Sequence, residues 1–478
     1  MSDIVSVLKS MFDETTVLTD PSDIKKYLTD WPGEMVGKAL AVVRPTSTRQ
    51  VSEIAKLAYE RGTPIVPQGG NTGTAGGSVP DDTGTAIIIS LERMNKIREI
   101  SPSAMTMEVE AGCVLETLQQ TTESHGLYFP LNFGAKGSCM IGGNLATNAG
   151  GQNVVRYGNT RELCLGIEAV LADGRIVNLL SGLRKDNSGY DLRDLFIGSE
   201  GTLGIITAAT MRLFNLPKAR ATTFAVVPDI THGLKLLNLA QAETVGAVEA
   251  FELIPRVFLE IVQEFTPHQK IPFDEIPELC VLIEIAATAD AESKADENGV
   301  VPISATLEKI LEIGFEDGLV LDAVVASSET QRREMWNLRE GALEALTAAG
   351  MLIRFDISLP LDEVHGFVDE MSRRVTAILP GVRMCHMGHL GDGNLHSSVF
   401  PSPAGAEALM EKADEIRKAV YDAIGEFRGS FSAEHGVGTS KLFAMKTYKD
   451  PVALAVMQQI KMTLDPKGMM NPGKLLPK

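Results

Sequence analysis

The sequence predicts an α+β protein built from more than one domain. Helical and strand periodicities alternate along the chain without the regular βαβ order of a parallel-sheet protein. The 478 residues also exceed what one hydrophobic core usually organises, so we expect two or three domains. Near residues 215–217 a glycine-rich first part gives way to longer amphipathic helices. We therefore divide the chain into domains at 1–216 and 217–429 and a C-terminal segment at 430–478.

The clearest element of the first part is a helix over residues 48–61. Val51, Ile54 and Ala58 recur at the 3.6-residue period of one helix face, and Gly62 follows as a helix-ending residue. Short apolar runs between turn residues predict strands, and the last two of these strands form a hairpin. The other elements predicted in this part are strands at 40–43, 64–67, 86–91, 106–110, 167–171 and 175–179 and a helix at 114–125.

The second part carries longer helical patterns between strands. We expect an α+β domain here, because amphipathic helices need an apolar partner such as a sheet. Glycine becomes frequent again after residue 429, and a further helical pattern follows. The predicted elements are helices at 230–243, 329–349, 406–427 and about 451–463 and a strand at 281–286.

Composition excludes several classes of function. The net charge of -18 argues against a nucleic-acid partner, whose phosphates need a basic face. No apolar run approaches the roughly 18 residues of a membrane span, and residues 1–20 lack the basic start and apolar centre of a signal peptide. The five cysteines are an odd number without a C-x-x-C pair, which is typical of reduced thiols. We therefore expect a cytoplasmic protein without a membrane span.

Three glycine clusters stand out in the first part of the chain. Glycine lets backbone N–H groups approach a ligand, and successive N–H groups form an anion-binding concavity. Together the three loops could hold a pyrophosphate, although each one alone is equally well explained as a set of tight turns. None fits G-x-G-x-x-G after a strand and no G-x-x-x-x-G-K-[ST] occurs, which disfavours a nicotinamide Rossmann site and a P-loop. The clusters lie at residues 67–77, 137–151 and 198–204.

Four of the eight histidines lie between His386 and His435. Two intervening glycines predict a tight loop that would bring His389 and His396 to one point. With Glu434, these two imidazoles would suit a divalent transition metal that keeps open positions for substrate, and His435 supplies a further imidazole. On spacing alone, surface or satisfied core histidines explain the pattern as well. The remaining histidines have no further histidine close to them in the sequence, and we interpret them as structural: His125, His232, His268 and His365.

The motifs around these residues resemble one family of flavoproteins. The first glycine cluster resembles the P-x-G-G-N-T-G loop of the vanillyl-alcohol-oxidase type of FAD-binding domain. Residues 185–204 are very similar to the branch of that family that contains D-lactate, glycolate and D-2-hydroxyglutarate dehydrogenases. Residues 388–396, 432–438 and 471–474 resemble the branch's G-H-x-G-D-G-N-x-H, S-x-E-H-G-x-G and N-P-x-K motifs. The resemblance extends over residues 40–474, which is nearly the whole chain.

The resemblance implies both a fold and a cofactor. The fold is a two-part FAD-binding domain, an α+β substrate (cap) domain and a C-terminal segment that returns to the flavin. The cofactor is FAD, held by the glycine clusters and by the C-terminal motif. The residues expected to bind it are Pro67, Gly69, Gly70, Asn71, Thr72, Gly73, Gly137, Ser138, Gly142, Gly143, Asn144, Thr147, Asn148, Gly150, Glu200, Gly201, Ile206 and Asn471.

The resemblance also implies which residues carry the chemistry. A divalent metal, zinc, would be held by His389, His396 and Glu434 and would bind the hydroxyl and carboxylate of the substrate. A metal lowers the pKa of a bound hydroxyl by several units, so His435 could accept its proton as the catalytic base. Arg339 would hold a carboxylate through two parallel hydrogen bonds, as a catalytic and substrate-binding residue. Hydride transfer to the flavin would then convert a D-2-hydroxy acid to the 2-oxo acid.

The residues expected at the far end of the substrate depart from the family pattern. Arg354 and Ser398 are the expected contacts there, and they stand where the hydroxyglutarate relatives have Lys and Asn. Leu343 replaces a Thr that touches substrate in those relatives, and Gln68 replaces a frequent Arg near the flavin. D-2-Hydroxyglutarate or a related dicarboxylate is the favoured substrate, with D-lactate or glycolate as the alternative.

Two functions of other kinds stay compatible with the sequence. One is a flavin enzyme of different chemistry, such as an aryl-alcohol oxidase or an ether-lipid synthase, which would not need the two histidines and the glutamate. The other is a flavin-binding electron-transfer subunit without catalysis of its own. The relatives imply a flavoprotein or a quinone as the electron acceptor, and a homodimer as the assembly.

Overall fold

The computed structural model describes residues 3–402 and 405–477 as a mixture of helices and sheets, so the predicted α+β class is confirmed. Most strands are short, and the longer ones follow residue 160. In chain order the described strands are β1 Val17–Leu18, β2 Ala41–Val43, β3 Ile65–Gln68, β4 Ile87–Ser90, β5 Ile97–Ser101, β6 Thr106–Glu110, β7 Leu127–Tyr128, β8 Cys164–Val170, β9 Ile176–Asn178, β10 Ile205–Arg212, β11 Phe214–Asn215, β12 Ala219–Val226, β13 Val248–Pro255, β14 Leu279–Ala287, β15 Asp322–Val325, β16 Ile353–Ser358, β17 Arg383–His389 and β18 Asn394–Phe400.

Most of the longer helices follow residue 229, and α3 is a long helix that precedes the glycine clusters. Among the described residues, no helix combines the length and the apolar character that crossing a membrane would require. Short 3-10 helices lie at Lys25–Tyr27, Leu361–Glu363 and Leu390–Asp392. The described α-helices are α1 Ile4–Met11, α2 Pro21–Ile24, α3 Thr48–Arg61, α4 Leu115–Ser124, α5 Ile141–Thr147, α6 Val154–Tyr157, α7 Thr160–Leu163, α8 Arg193–Phe196, α9 Ile230–Glu243, α10 Arg256–Phe265, α11 Asp290–Ser293, α12 Pro302–Glu316, α13 Glu329–Glu340, α14 Ala342–Ala348, α15 Val364–Ile378, α16 Ala406–Glu411, α17 Ala413–Glu426, α18 Leu442–Tyr448 and α19 Pro451–Leu464.

The chain divides into two compact units. The first unit is formed by three separate segments, and the residues between these segments form the second unit. Residues 151–157, residue 216 and residues 430–433 belong to the second unit. The sequence-based division had placed the first two in the first domain and the third in the C-terminal segment. The first unit comprises Met1–Gly150, Gly158–Asn215 and Glu434–Lys478, and the second comprises Gly151–Tyr157 and Leu216–Ala433.

Two sheets and a short strand pair form the first unit. Strands β2, β4 and β3 are parallel neighbours, and β1 pairs with β2 in the antiparallel direction. The second sheet is antiparallel with the order β5-β6-β10-β8-β9, and β7 pairs with β11. Helix α3 has the predicted bounds because Val51, Ile54 and Ala58 are fully buried, the Ser47 side chain caps its start and Gly62 ends it at φ 68°.

The C-terminal segment returns to the first of these sheets. Ile65, at the start of β3, forms a parallel bridge with Met470, and the amide of Asn471 donates to the Ile65 carbonyl at 2.8 Å. Lys461, near the end of α19, donates to the carbonyls of Thr202 and Met470 at 2.6 and 2.7 Å. The C-terminal segment is therefore part of the same compact unit as the glycine clusters.

One seven-stranded antiparallel sheet forms the centre of the second unit, with the order β15-β12-β14-β13-β17-β18-β16. Helices α9, α12, α15 and α17 cover one face and bury the larger apolar core. Helices α10, α13 and α14 pack on the other face through a second apolar core. Because side chains alternate between the faces of a strand, the polar residues Glu252, His389, His396 and Asp356 share this second face.

Two helices predicted as continuous are each interrupted, so these predictions are wrong. The pattern at 329–349 forms α13 and α14, which Gly341 separates with φ -69° and ψ 0°. The pattern at 406–427 forms α16 and α17, which Lys412 separates with φ -96° and ψ 0°. A single residue with ψ near 0° breaks the helical hydrogen bonding, while the apolar period continues on both sides. Arg339 therefore lies in the last turn of α13 rather than in the middle of a long helix.

Candidate functional site

The first two glycine clusters lie against each other in the first unit. A Cβ added at Gly70 would stand 2.1 Å from the Ser138 carbonyl oxygen, and one at Gly69 would stand 3.4 Å from the Gly143 amide nitrogen. An approach of backbone to backbone this close leaves no room for a side chain at residue 70. The structure thus brings together two of the three loops that we expect to share one ligand.

Unusual backbone conformations concentrate at four of the predicted FAD-binding residues. Asn71, Asn148, Glu200 and Asn471 have φ values of 54, 52, 50 and 44°. These are four of the eight described non-glycine residues with positive φ. The left-handed conformation costs an L-residue roughly 1–2 kcal/mol, and residues held in it cluster at ligand sites. Their positions on the glycine clusters and in the C-terminal motif agree with a ligand-binding role for these loops.

Glu200 and Asn471 connect the third glycine cluster to the first cluster and to the C-terminal segment. The Asn471 side-chain amide donates to the carbonyls of Gly77 and Glu200 at 2.8 and 2.7 Å. The buried Glu200 carboxylate accepts from the amides of Val437 and Gly438, both at 2.7 Å. Burial raises the pKa of Glu200, and the two amide donors oppose that rise. A few hydrogen bonds therefore fix three distant segments to one another.

The first unit also contains buried polar atoms that a polar ligand would satisfy. Asn471 Oδ1 and Asn144 Nδ2 are buried without a hydrogen-bond partner in the described part of the chain. Leaving such an atom unpaired costs about 1–3 kcal/mol, and glycine-loop amides suit a phosphate. These residues fit FAD, which combines a pyrophosphate with polar ring edges. All the predicted FAD-binding residues lie in the first unit, although not all of them are on loops. Ile206 is inside β10, and helix α5 contains Gly142, Gly143, Asn144 and Thr147.

In the second unit, the hairpin of β17 and β18 brings His389 and His396 together. Their ring centroids are 5.3 Å apart, with one ring edge-on to the other. The connecting turn places Gly393 at φ 78°, and a Cβ at Gly388 would stand 2.4 Å from the Asn394 carbonyl oxygen. The tight turn expected between the two histidines is therefore present.

A buried carboxylate that the sequence analysis missed is bonded to one of these histidines. Glu252 of β13 is the cross-strand partner of His389, and its Oε1 accepts from His389 Nδ1 at 2.6 Å. Its Oε2 accepts from Arg339 Nε at 2.6 Å, and the exposed fraction of Glu252 is 0%. Burial alone would raise the pKa of Glu252, but the Arg339 guanidinium and the hydrogen bond from His389 lower it to about 2. The presence of Glu249 and Glu252 within the mainly apolar strand Val248–Pro255 was the signal that could have indicated a buried carboxylate.

A second buried carboxylate holds α13, the helix that carries Arg339, on the sheet. Glu284 of β14 accepts from Trp336 Nε1 at 2.7 Å and from Arg332 Nη1 at 2.8 Å. The Thr222 hydroxyl donates to the same carboxylate at 2.6 Å. Two turns of α13 are thus bonded to the sheet by Glu284, and the last turn is bonded through Arg339.

The two residues expected at the far end of the substrate are cross-strand partners. Arg354 of β16 pairs with Ser398 of β18, and the next pair on the same face is Asp356 with His396. Asp356 is buried, with its Oδ1 3.9 Å from His396 Nδ1, and it was not predicted as a site residue. Arg354 is exposed, with its Nη2 3.4 Å from the Thr347 hydroxyl. The structure therefore brings Arg354 and Ser398 beside His396.

Glu434 and His435, the predicted third ligand and base, lie in the first unit. Glu434 Oε1 is 3.9 Å from His435 Nε2, and 40% of the His435 side chain is exposed. Gly438, three residues beyond His435, has φ 49°, and a Cβ there would stand 1.9 Å from a backbone carbonyl oxygen. The structure thus places Glu434 and His435 together in one unit, and His389 and His396 together in the other.

His386 belongs to the histidine-rich stretch but lies on the opposite face of β17 from His389. Its Nδ1 is 3.0 Å from the Ser397 hydroxyl, and its Nε2 is 3.4 Å from the Ser372 hydroxyl. Burial lowers the pKa of His386 to about 4. His386 is therefore a neutral core histidine with hydroxyl partners.

Two family models match the chain. One is described as an FAD binding domain and matches residues 39–180, and the other, the C-terminal domain of FAD linked oxidases, matches residues 216–475. The mitochondrial D-2-hydroxyglutarate dehydrogenase of Rattus norvegicus is 38% identical over 96% of this chain and 82% of its own length. The D-2-hydroxyglutarate dehydrogenase of Xanthomonas citri pv. viticola is 35% identical over 96% of this chain and 93% of its own length. A mitochondrial protein of Schizosaccharomyces pombe, provisionally named a D-lactate dehydrogenase, is 35% identical over 97% of this chain and 87% of its own length.

Solved structures share the fold at low sequence identity. p-Cresol methylhydroxylase with bound substrate has a TM-score of 0.76 at 16% identity, over 98% of this chain and 96% of that one. Alkyldihydroxyacetonephosphate synthase has a TM-score of 0.71 at 18% identity, over 99% of this chain and 86% of that one. At these identities the likeness concerns the fold alone, and it confirms the predicted FAD-binding fold of the vanillyl-alcohol-oxidase type.

Replacing Gly70 by alanine is expected to release flavin. The added methyl group would overlap the Ser138 carbonyl oxygen, and overpacking of this kind typically costs about 1–3 kcal/mol. The flavin absorbance per mole of purified protein should fall, together with the melting temperature. Gly134→Ala is the control, because its Cβ would meet nothing within 4 Å. Flavin content equal to that of the wild type in Gly70→Ala would contradict the close approach of the two loops.

His386 is expected to make the protein sensitive to acid between about pH 6.5 and pH 4. Its pKa in the folded protein lies below the ordinary value of 6.5, so the unfolded chain takes up the proton first and stability falls as the pH drops through that window. Between pH 7 and pH 5 the wild type should lose about 2 kcal/mol more unfolding free energy than His386→Gln, as measured by urea unfolding. Equal losses in both proteins would rule out this contribution.

Proposed function

This chain belongs to the FAD-linked oxidase family, and from that premise we propose that it oxidises a D-2-hydroxy acid to the 2-oxo acid. The favoured substrate is D-2-hydroxyglutarate or a related dicarboxylate. The observation that carries the proposal is the second-unit cluster of His389, His396 and Arg339 around the buried Glu252. This cluster joins potential metal ligands to a guanidinium group, and a 2-hydroxy acid has a hydroxyl and a carboxylate that suit them.

FAD supplies the hydride acceptor when it is bound. The proposed binding residues are the glycine clusters of the first unit, supported by their close packing and by the left-handed Asn71, Asn148 and Glu200. Asn471 would close the site, because it bonds both the first and the third cluster and retains a buried oxygen to pair with a ligand. Glycine amides suit the pyrophosphate, and the asparagine side chains suit the polar edges of the rings.

We assign the divalent metal, zinc, to His389, His396 and Glu434. Two imidazoles and one carboxylate are a usual zinc ligand set that leaves a position for substrate. A metal in this place would acidify the hydroxyl of a bound 2-hydroxy acid. Glu434 is proposed as the third ligand because residues 432–438 resemble the S-x-E-H-G-x-G motif of the family.

His435 is the proposed base for the hydroxyl proton. Imidazole is the side chain that exchanges protons near neutral pH, and the partial exposure of His435 allows the proton to leave for solvent. Arg339 is proposed to bind the α-carboxylate through its two Nη groups, since Glu252 already holds its Nε. Proton transfer and carboxylate binding are thus assigned to different side chains.

Arg354 and Ser398 are the proposed contacts of the distal carboxylate. They lie side by side on the sheet face that carries His396, and Arg354 is exposed there. A smaller substrate, D-lactate or glycolate, is the second candidate, favoured by Leu343, whose side chain cannot hydrogen-bond an acid group. The name of the Schizosaccharomyces pombe relative points in the same direction. An electron-transfer subunit without catalysis remains a further alternative, but it would not need this cluster.

The proposal extends to the electron acceptor and the assembly. We propose a flavoprotein or a quinone as acceptor and a homodimer as the assembly, both by analogy with relatives. A cytoplasmic location stays a prediction, since the names of the rat and Schizosaccharomyces pombe relatives include the word mitochondrial.

His435→Ala is expected to abolish flavin reduction by substrate while flavin stays bound. The test is anaerobic bleaching of the flavin absorbance against a panel of D- and L-2-hydroxy acids. Wild type should be bleached by a D-2-hydroxy acid, and the variant should lose at least about 100-fold in rate, as is usual for a general base. His125→Ala, which changes an exposed histidine bonded only to its own helix turn, is the control. An unchanged rate in His435→Ala would rule out this base.

The substrate size is expected to show in Arg354→Ala. If the substrate is a dicarboxylate, loss of a charged hydrogen bond of about 1.5–3 kcal/mol should raise KM roughly 10- to 100-fold for D-2-hydroxyglutarate. KM for D-lactate should change little, because D-lactate has no second carboxylate. Arg354→Lys keeps the charge and is the matched control. A mild effect of Arg354→Ala on every acid would favour D-lactate or glycolate instead.

A further inference from the structure

We infer that Glu252 is a positioning residue that makes metal binding and substrate-carboxylate binding depend on one another. One carboxylate oxygen bonds His389, the proposed metal ligand, and the other bonds Arg339, the proposed carboxylate receptor. The inference takes the roles of these two residues from the proposed function. It adds that a third, deeply buried side chain sets the orientation of both.

Glu252 is well placed to hold two groups because its strand lies inside the sheet. β13 has hydrogen-bonded neighbours on both sides, β14 and β17, so its backbone has little freedom. The side chain has no solvent exposure, and each oxygen has a different cationic or polar partner at 2.6 Å. Hydrogen bonds to a charged group are stronger than neutral ones, and burial away from solvent strengthens them further. The carboxylate therefore acts as a fixed point between α13 and the β17–β18 hairpin.

For His389, the bond to Glu252 decides which nitrogen can bind a metal. A carboxylate only accepts, so His389 Nδ1 must carry the hydrogen, and Nε2 is then the nitrogen with a lone pair. A carboxylate that accepts from the other ring nitrogen also makes the imidazole a better ligand. Loss of such a partner commonly weakens metal binding roughly 10- to 100-fold. Glu252 thus selects the tautomer that metal ligation needs.

For Arg339, the bond to Glu252 decides which edge of the guanidinium group meets the substrate. With Nε held, Nη1 and Nη2 remain as the pair that can bind a carboxylate in parallel. Arg339 has no further hydrogen bond to another residue in the described ranges. The same carboxylate also offsets the charge of a guanidinium group that is 7% exposed, which would otherwise be costly to bury.

Glutamine at residue 252 would keep the size of the side chain, but it could accept a hydrogen bond from only one of the two partners, Arg339 or His389. An amide has one accepting oxygen and one donating NH₂, whereas Arg339 Nε and His389 Nδ1 both donate. If the amide oxygen faces Arg339, the NH₂ group drives His389 to the other tautomer, in which Nε2 carries the hydrogen. If the oxygen faces His389, the Arg339 fork is displaced. In both cases the two functions are no longer held by one group.

The experiment compares Zn²⁺ affinity and steady-state kinetics in FAD-loaded wild type and Glu252→Gln. Zn²⁺ affinity is measured by competition with a chromophoric chelator and needs no turnover. We expect Zn²⁺ to bind 10- to 100-fold more weakly in the variant, as a rough order of magnitude. At saturating Zn²⁺, KM for D-2-hydroxyglutarate should rise by about 10-fold, more than kcat falls, because a carboxylate contact is impaired.

Glu249→Gln is the matched control for a merely structural effect. Glu249 lies on the same strand, is also buried, and accepts from Tyr157 and Arg220 at 2.6 and 2.8 Å. It should lower the melting temperature as much as Glu252→Gln does, yet leave Zn²⁺ affinity and KM unchanged. Equal Zn²⁺ affinity in wild type and Glu252→Gln, or equal weakening in both variants, would overturn the inference.

Glu252→Asp is a second variant for the case that the Glu252→Gln protein does not fold. It keeps the charge but is one methylene shorter, so it can reach one partner at a time, and we expect Zn²⁺ to bind about 10-fold more weakly. Wild-type Zn²⁺ affinity in Glu252→Asp would then count against the inference. Failure of the proposed function is a separate result, in which no 2-hydroxy acid bleaches the wild-type flavin. The Zn²⁺ comparison still decides the inference in that case, because it does not use the substrate.

Discussion

A fully buried carboxylate between a guanidinium and an imidazole is the interaction on which the polar face of the second unit depends. An isolated charge in this place would cost several kcal/mol, so Glu252 is tolerated only with Arg339 and His389 beside it. The reverse also holds, because Arg339 is nearly as buried as Glu252. The second apolar core ends where this group begins, and the β17–β18 hairpin and the last turn of α13 take their positions from it.

The first unit uses a buried carboxylate in a comparable way, but with backbone partners. Glu200 accepts two amides of the segment that follows His435, and its own carbonyl accepts from Asn471. Burial disfavours the charged form of both Glu200 and Glu252, yet their pKa values move in opposite directions. Amide dipoles offset the effect of burial in part for Glu200, whereas the Arg339 guanidinium and the His389 hydrogen bond outweigh it for Glu252. One carboxylate joins chain segments, and the other arranges side chains.

Sequence patterns were sufficient for the elements whose signals are local. The helices at 48–61 and 230–243 have the predicted bounds, because an amphipathic period and a capping residue lie within the segment. The helix predicted at 329–349 was wrong because the apolar period continues through Gly341. The glycine clusters and the histidine pair were visible as residue types at short spacing. Glu252 and Asp356 were missed because their roles depend on strand register between segments distant in sequence, which one sequence does not reveal.

The bonds of Asn471 have a consequence for the order in which the protein folds. Its side chain bonds Gly77, which lies 394 residues earlier, and the backbone around it pairs with β3. The entropy of closing so long a loop grows only with the logarithm of its length, so the final stability suffers little. The folding rate is affected more strongly, because contacts between segments so distant in sequence form slowly. On the ribosome, the strands of the second unit emerge and can pair before residue 471 is made, so the first glycine cluster gains its bond from Asn471 only after the second unit has been synthesised.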